Sequence, residues 1–143
     1  MRKPLKTIML LLLLMLYGAP GSCLGAEIIL VVNPGSTLTG ITWRAAERIF
    51  LSKKTEWSQG DHIHVVVNNN PEVYASFCRE ILKKTPQQYL LYRKKMLFNG
   101  TGIPPLVMNS DEEVKAFVAA TKDAIGFIRK DSLDPSVKQL VIR

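Results

Sequence analysis

The residues best suited to chemistry are three consecutive asparagines, Asn68, Asn69 and Asn70, which separate a Val-Val-Val triplet from Pro71 in the stretch VVVNNNPEVYASF. A carboxamide both donates and accepts hydrogen bonds, so this turn could hold a small polar ligand or simply cap its own helix. Ser36, Thr37 and Thr39, in PGSTLTG, add hydroxyls after the first apolar run and are candidates for the same ligand. His62 and His64, the only two histidines, would share one face of a strand as half of a metal site. No further ligands come at a suitable spacing, so they read as solvent-facing and no metal is expected. Cys78 falls on the apolar face of a helix, without a base or orienting group spaced to activate it. It reads as a small packed hydrophobe. No catalytic residue and no cofactor is expected.

The elements that would position these residues follow from periodicity. EIILVVN, residues 27–33, is a near-continuous Ile/Val run typical of a strand covered on both faces. PGSTLTG breaks it, and Trp43, Ala46, Ile49 and Phe50 then recur at helical spacing behind Thr42 as N-cap. In the second strand Ile63, Val65 and Val67 share one face, and His62, His64 and Val66 the other. The asparagine turn leads into an amphipathic helix with Tyr74, Phe77, Cys78 and Ile81 on one side and Pro71 near its first position. Thr85 and Pro86 open a further helix, PQQYLLYRKKMLF, apolar around much of its circumference and ended by NGTGIPP. Ser110 and Glu113 are spaced as a capping box ahead of Val114, Phe117 and Val118. AIGFI and VKQLVIR read as two more strands. Strands alternating with helices give an α/β, three-layer α/β/α sandwich around a largely parallel sheet, in which ligands bind beyond the carboxyl ends of strands.

Composition narrows the function classes. The chain has 143 residues, a net charge of +7 and two cysteines, enough for one domain with an ordinary apolar core. It begins MRKPLKTIMLLLLLMLYGAPGSCLGA, a basic, apolar and small-residue series with the layout of a secretory signal peptide. We expect residues 1–26 to be that peptide and residues 27–143 to be the exported domain, periplasmic or secreted. The apolar run is short for a bilayer span of about 20 residues, so no transmembrane segment is expected in the mature chain. Removing Arg2, Lys3 and Lys6 takes Lys plus Arg from 19 to 16 against 12 acids, a net +4. That balance argues against nucleic acid as a partner. The clusters Arg79, Lys83, Lys84 and Arg93, Lys94, Lys95 read as solvated helix faces, with an acidic partner or lipid headgroups as the alternative. Cys78 has no partner within the mature chain.

Three segments together resemble the substrate-binding proteins of phosphate ABC transporters, specifically short, single-lobe relatives. RIFLSKKTEWSQGDHIHVV is similar to that family's helix end, turn, tryptophan and approach to a strand, with Ser52 where glycine is usual. YRKKMLFNGTGIPP is similar to its aromatic, glycine and double-proline segment, with Tyr92 where tryptophan is usual. FVAATKDAIGFI resembles the approach to another of its strands. The resemblance implies the fold of one lobe of a type 2 periplasmic binding protein, no enzyme activity, and a small polar solute or an envelope protein as partner. A homodimer is one way for a single lobe to enclose a solute. In the phosphate receptors the turn matching the opening stretch carries an arginine and a Ser-Gly-Thr triplet, and alignment on Phe77 puts Pro71, Glu72 and Val73 in the triplet's place. Pro71 removes a donor, Val73 lacks a hydroxyl, and Glu72 repels an anion by about 1 kcal/mol at about 4 Å even in water. Phosphate-binding residues are therefore not expected here.

Overall fold

The structure, a computed structural model, describes residues 25–143. The expected signal peptide lies outside the described residues except for Gly25 and Ala26, as does Cys23. Strands β1 (Ile28–Val32), β2 (Gly40–Ile41), β3 (His64–Asn68), β4 (Leu106–Met108), β5 (Ala124–Arg129) and β6 (Lys138–Ile142) form one sheet in the order β2-β6-β1-β5-β3-β4. The helices are α1 (Trp43–Phe50), α2 (Pro71–Phe77), α3 (Pro86–Asn99) and α4 (Asp111–Ala120). α2 continues through a π-helical turn, Cys78–Leu82, which ends where Lys83 adopts a left-handed conformation (φ 52°).

The three-layer α/β/α arrangement holds. All five residues of β1 are buried, and alternation divides them between two cores. Ile28, Leu30 and Val32 face a core shared with Ile49 and Phe50 of α1, Val73 and Phe77 of α2, and Tyr89 of α3. Ile29 and Val31 face Val114 and Val118 of α4. Gly126 lets α4 approach β5, because a Cβ there would lie 2.7 Å from Val66 Cγ1 and 2.8 Å from Val114 Cγ1.

The sheet is mixed, which corrects the expectation of a largely parallel one. β3 runs parallel to β4 and β5, and β2 parallel to β6, but central β1 is antiparallel to both β5 and β6. The registers Ile28↔Arg129 and Val32↔Ile125 therefore put the carboxyl end of β1 at the opposite end of the sheet from the carboxyl ends of β3 and β5. β2 and β4, of two and three residues, are too short for alternation to reveal and were not anticipated.

Helix starts follow the sequence signals closely. Thr42 and Ser110 accept amide bonds from Ala45 and Glu113, and Thr85 and Gln88 complete a reciprocal capping box. Glu113 departs from the pattern: its carboxylate takes the amide of Asn109, at 2.8 Å, rather than that of Ser110. Ser52 is left-handed (φ 55°), a conformation that glycine adopts without cost. Its hydroxyl donates to the Ile103 carbonyl at 3.0 Å.

Two local features generate predictions. Phe77 stacks on Phe127 at 3.8 Å between centroids and meets Phe50 edge-on at 4.7 Å. Phe77→Ala should cost roughly 3–5 kcal/mol in unfolding free energy measured by urea titration. On the other face, the buried ammonium of Lys115 lies 2.6 Å from Asp134 and 2.9 Å from Glu112. Lys115, with the Ser136 hydroxyl and amide, holds the Asp134 carboxyl down at about 2. A depressed carboxyl stabilises the fold above its unfolded value of about 3.9 and loses that contribution as pH falls through the folded value. The melting temperature should thus decline between about pH 4 and pH 2, and Asp134→Asn should make that decline shallower.

Candidate functional site

The asparagine turn sits where β3 ends and α2 begins, and the three asparagines do different work. Asn68 is fully buried. Its amide nitrogen donates to Asp111 Oδ1 at 2.6 Å and to the Phe127 carbonyl at 3.4 Å, while its oxygen accepts the Asn70 amide at 3.0 Å. Asn69 is exposed, and its backbone N–H donates to the Met108 carbonyl at 2.7 Å. Asn70 is the N-cap of α2: its Oδ1 accepts the amides of Glu72 at 3.2 Å and Val73 at 3.3 Å, and its carbonyl accepts that of Tyr74 at 2.8 Å. With Pro71 carrying no N–H, no amide of the first turn is left over.

Charge is balanced locally as well. Arg129, the last residue of β5, donates through Nη2 to Glu72 Oε2 at 2.8 Å and to Asn70 Oδ1 at 3.2 Å, and its Nε is buried without a partner. Asp111, which opens α4, accepts the Ser132 hydroxyl at 2.6 Å and the Arg129 amide at 3.4 Å on its other oxygen. The starts of α2 and α4 thus meet at the carboxyl ends of β3, β4 and β5, each with its own carboxylate in the first turn.

Asp111, Arg129 and Ser132 were not anticipated as part of this cluster. The only advance signal was position, and only for Arg129 and Ser132, which end or follow the AIGFI strand that parallel pairing with β3 brings to the same end; β4, ahead of Asp111, gave none. The other candidates go elsewhere. Ser36 and Thr37 follow the carboxyl end of β1, at the far end of the sheet, and line a cavity of about 230 Å³ with Asn33, Trp57 and Lys122. Thr39 leads into edge strand β2, separated from β3 by β6, β1 and β5. Within one chain the two groups do not come together, because β1 runs the other way.

His62 and His64 do lie together, their rings edge-to-face at 5.3 Å. Both are exposed and line a cavity of about 220 Å³ with Ser52, Lys54, Thr55 and Ile103. Among the described residues no three His, Cys, Asp or Glu side chains converge as a metal would require. Cys78 is buried, and desolvation pushes its thiol up to about 11, far from the range of a reactive thiolate.

The arrangement is a lobe-like α/β domain with a polar turn at a helix start. Among solved structures, the chain is similar to an ABC-type phosphate transport receptor from Vibrio cholerae, with 24% identity and a TM-score of 0.62 over 82% of this chain and 46% of that one. It is also similar to PstS from Borrelia burgdorferi, with 16% identity and a TM-score of 0.58 over 82% of this chain and 47% of that one. These likenesses establish the fold, and the chain spans less than half the length of either protein. No protein-family model matches the sequence, and no curated protein does.

Asn68→Ala should lower unfolding free energy by about 1–3 kcal/mol, because the Asn70 amide and Asp111 Oδ1 both lose a partner. Asn69→Ala should change it by less than about 0.5 kcal/mol in the same urea titration.

Proposed function

We propose that this protein is an exported, non-enzymatic, solute-binding-like domain of the phosphate-transport type that does not take up phosphate. It acts as an accessory or interaction module of an envelope complex. The observation that carries this reading is the exhausted first turn of α2, where Asn70 takes the amides of Glu72 and Val73 and Arg129 is held by Glu72 at 2.8 Å. An oxyanion would find a carboxylate in place of donors. Export rests on the basic and apolar start of the chain, and the link to transport rests on the likeness to phosphate receptors in both motif and fold.

A second reading is favoured by the cavity beside Ser36 and Thr37: its mix of hydroxyls, the Gln59 carboxamide and Trp57 suits a small neutral polar solute.

Calorimetry separates the readings. Phosphate and sulfate should give no saturable heat with the wild type, whereas Glu72→Ser, by releasing Arg129, should create weak anion binding. Saturable phosphate binding by the wild type would overturn the proposal, and a saturable neutral solute would favour the second reading. For the accessory role, affinity purification from intact envelopes should recover a stoichiometric partner; recovery as a free monomer alone would count against it.

A further inference from the structure

Helix α3 is fixed to the domain along one side only. Tyr89 and Tyr92 donate their hydroxyls to the carbonyls of Phe50 and Leu51, each at 2.8 Å, and Met96 is buried close to Gly102 of the following loop. Arg93 turns inward over the rings of Tyr89 and Tyr74, at 5.2 and 5.7 Å. The outer side carries two parallel stripes at helical spacing, Leu90-Lys94-Leu97 and Leu91-Lys95-Phe98. Leu97 is 64% exposed and Phe98 85%, and Ile103 on the loop beyond is 73% exposed. Seven of the ten large exposed hydrophobics among the described residues fall between positions 90 and 107. Single exposed leucines are ordinary, but a concentration of this kind marks a contact surface.

Charge is concentrated on the same segment. Residues 81–110 contain Lys83, Lys84, Arg93, Lys94 and Lys95 and no Asp or Glu. The rest of the expected mature chain has 11 Lys plus Arg against 12 acids, so the segment's +5 exceeds the net charge of the whole mature domain. None of the five cations enters an ion pair among the described residues. The partner must therefore be both negative and able to receive protruding apolar chains. The outer side of α3 presents exposed leucines and Phe98 interleaved with the exposed Lys94 and Lys95, and neither cavity described above includes an α3 residue. A deformable surface fits such projections better than a shaped protein groove.

We propose that the outer face of α3, with Ile103, docks on an anionic lipid bilayer, with Leu97, Phe98 and Ile103 entering the headgroup boundary and Lys94 and Lys95 pairing with lipid phosphates. Amphipathic basic helices bind membranes in this way, lying in the plane of the interface, and the long lysine stems let the ammonium groups reach the headgroups while apolar neighbours sink deeper.

The test is sedimentation of the full chain with vesicles of mixed phosphatidylglycerol and phosphatidylcholine, against pure phosphatidylcholine. Every protein compared carries the same residues 1–24, so their contribution is constant. The wild type should prefer the anionic vesicles, and the preference should weaken with added salt. Lys94→Gln with Lys95→Gln should reduce binding to anionic vesicles by about fivefold per lysine. Leu97→Ser with Phe98→Ser should reduce it by roughly tenfold or more. All four positions face solvent, so circular dichroism and melting should match the wild type. Equal binding to both vesicle types, or anionic binding unchanged in either double variant, would overturn the proposal. So would capture on polyglutamate that matches vesicle binding and ignores Leu97→Ser with Phe98→Ser, since that would assign the surface to an acidic polypeptide.

Discussion

A carboxamide sealed from water must find partners for its polar atoms inside the protein, since each one left unpaired costs about 1–3 kcal/mol. Asn68 is such a group, and it satisfies itself by reaching the Asp111 carboxylate, the Phe127 carbonyl and the Asn70 amide. Those bonds fix where α4 starts, how β5 lies beside β3, and the path by which the chain leaves β3 for α2. Asp111, once drawn in, also orders Ser132 and the amide of Arg129. The position of Arg129 opposite Glu72 follows from that anchoring. The end of the sheet where β3, β4 and β5 finish is therefore built around an internal polar network.

The two sides of the molecule consequently differ in kind. At the asparagine turn, donors and acceptors are consumed by neighbours, and the cation is matched by a carboxylate. Along α3, Arg93, Lys94 and Lys95 have no ionic partner among the described residues, and leucine and phenylalanine side chains project into solvent. Burial explains why α3 can carry such a face: Tyr89, Tyr92 and Met96 suffice to attach it, leaving the outer residues free of any packing duty.

Much of this was legible in the sequence because it depends on local chemistry. Thr42, Asn70, Thr85 and Ser110 cap the helices that their spacing announced, and the Val65-Val67 face and the Tyr74-Phe77-Cys78-Ile81 face pack as their periods required. Strand direction was not legible. A fully buried Ile/Val run has no alternation to distinguish a parallel strand from a central antiparallel one, so β1 was placed in the wrong sense, and Ser36 and Thr37 were assigned to the same end as Asn68. Asp111 and Arg129 escaped for a related reason: Asp111 meets Asn68 across 43 residues and Arg129 meets Asn70 across 59, which only the registers of β4 and β5 beside β3 bring about. The aqueous side of α3 was half visible, in that its circumference read as apolar, but nothing local said which leucines would be left outside.

Glu72 decides what the Arg129 guanidinium holds. An external oxyanion and the Glu72 carboxylate compete for the same guanidinium, and an ion pair as exposed as this one is worth about 0.2–1 kcal/mol to either. The external ion must also meet an association cost of at least about 4 kcal/mol, which a side chain already tethered to the helix avoids. It faces, besides, the repulsion of the carboxylate it would displace. With Pro71 lacking an amide proton and Asn70 occupying the amides of Glu72 and Val73, the ion has no second set of donors with which to recover the difference. The tethered carboxylate wins on magnitude, and the turn closes on itself without any change in the fold that carries it.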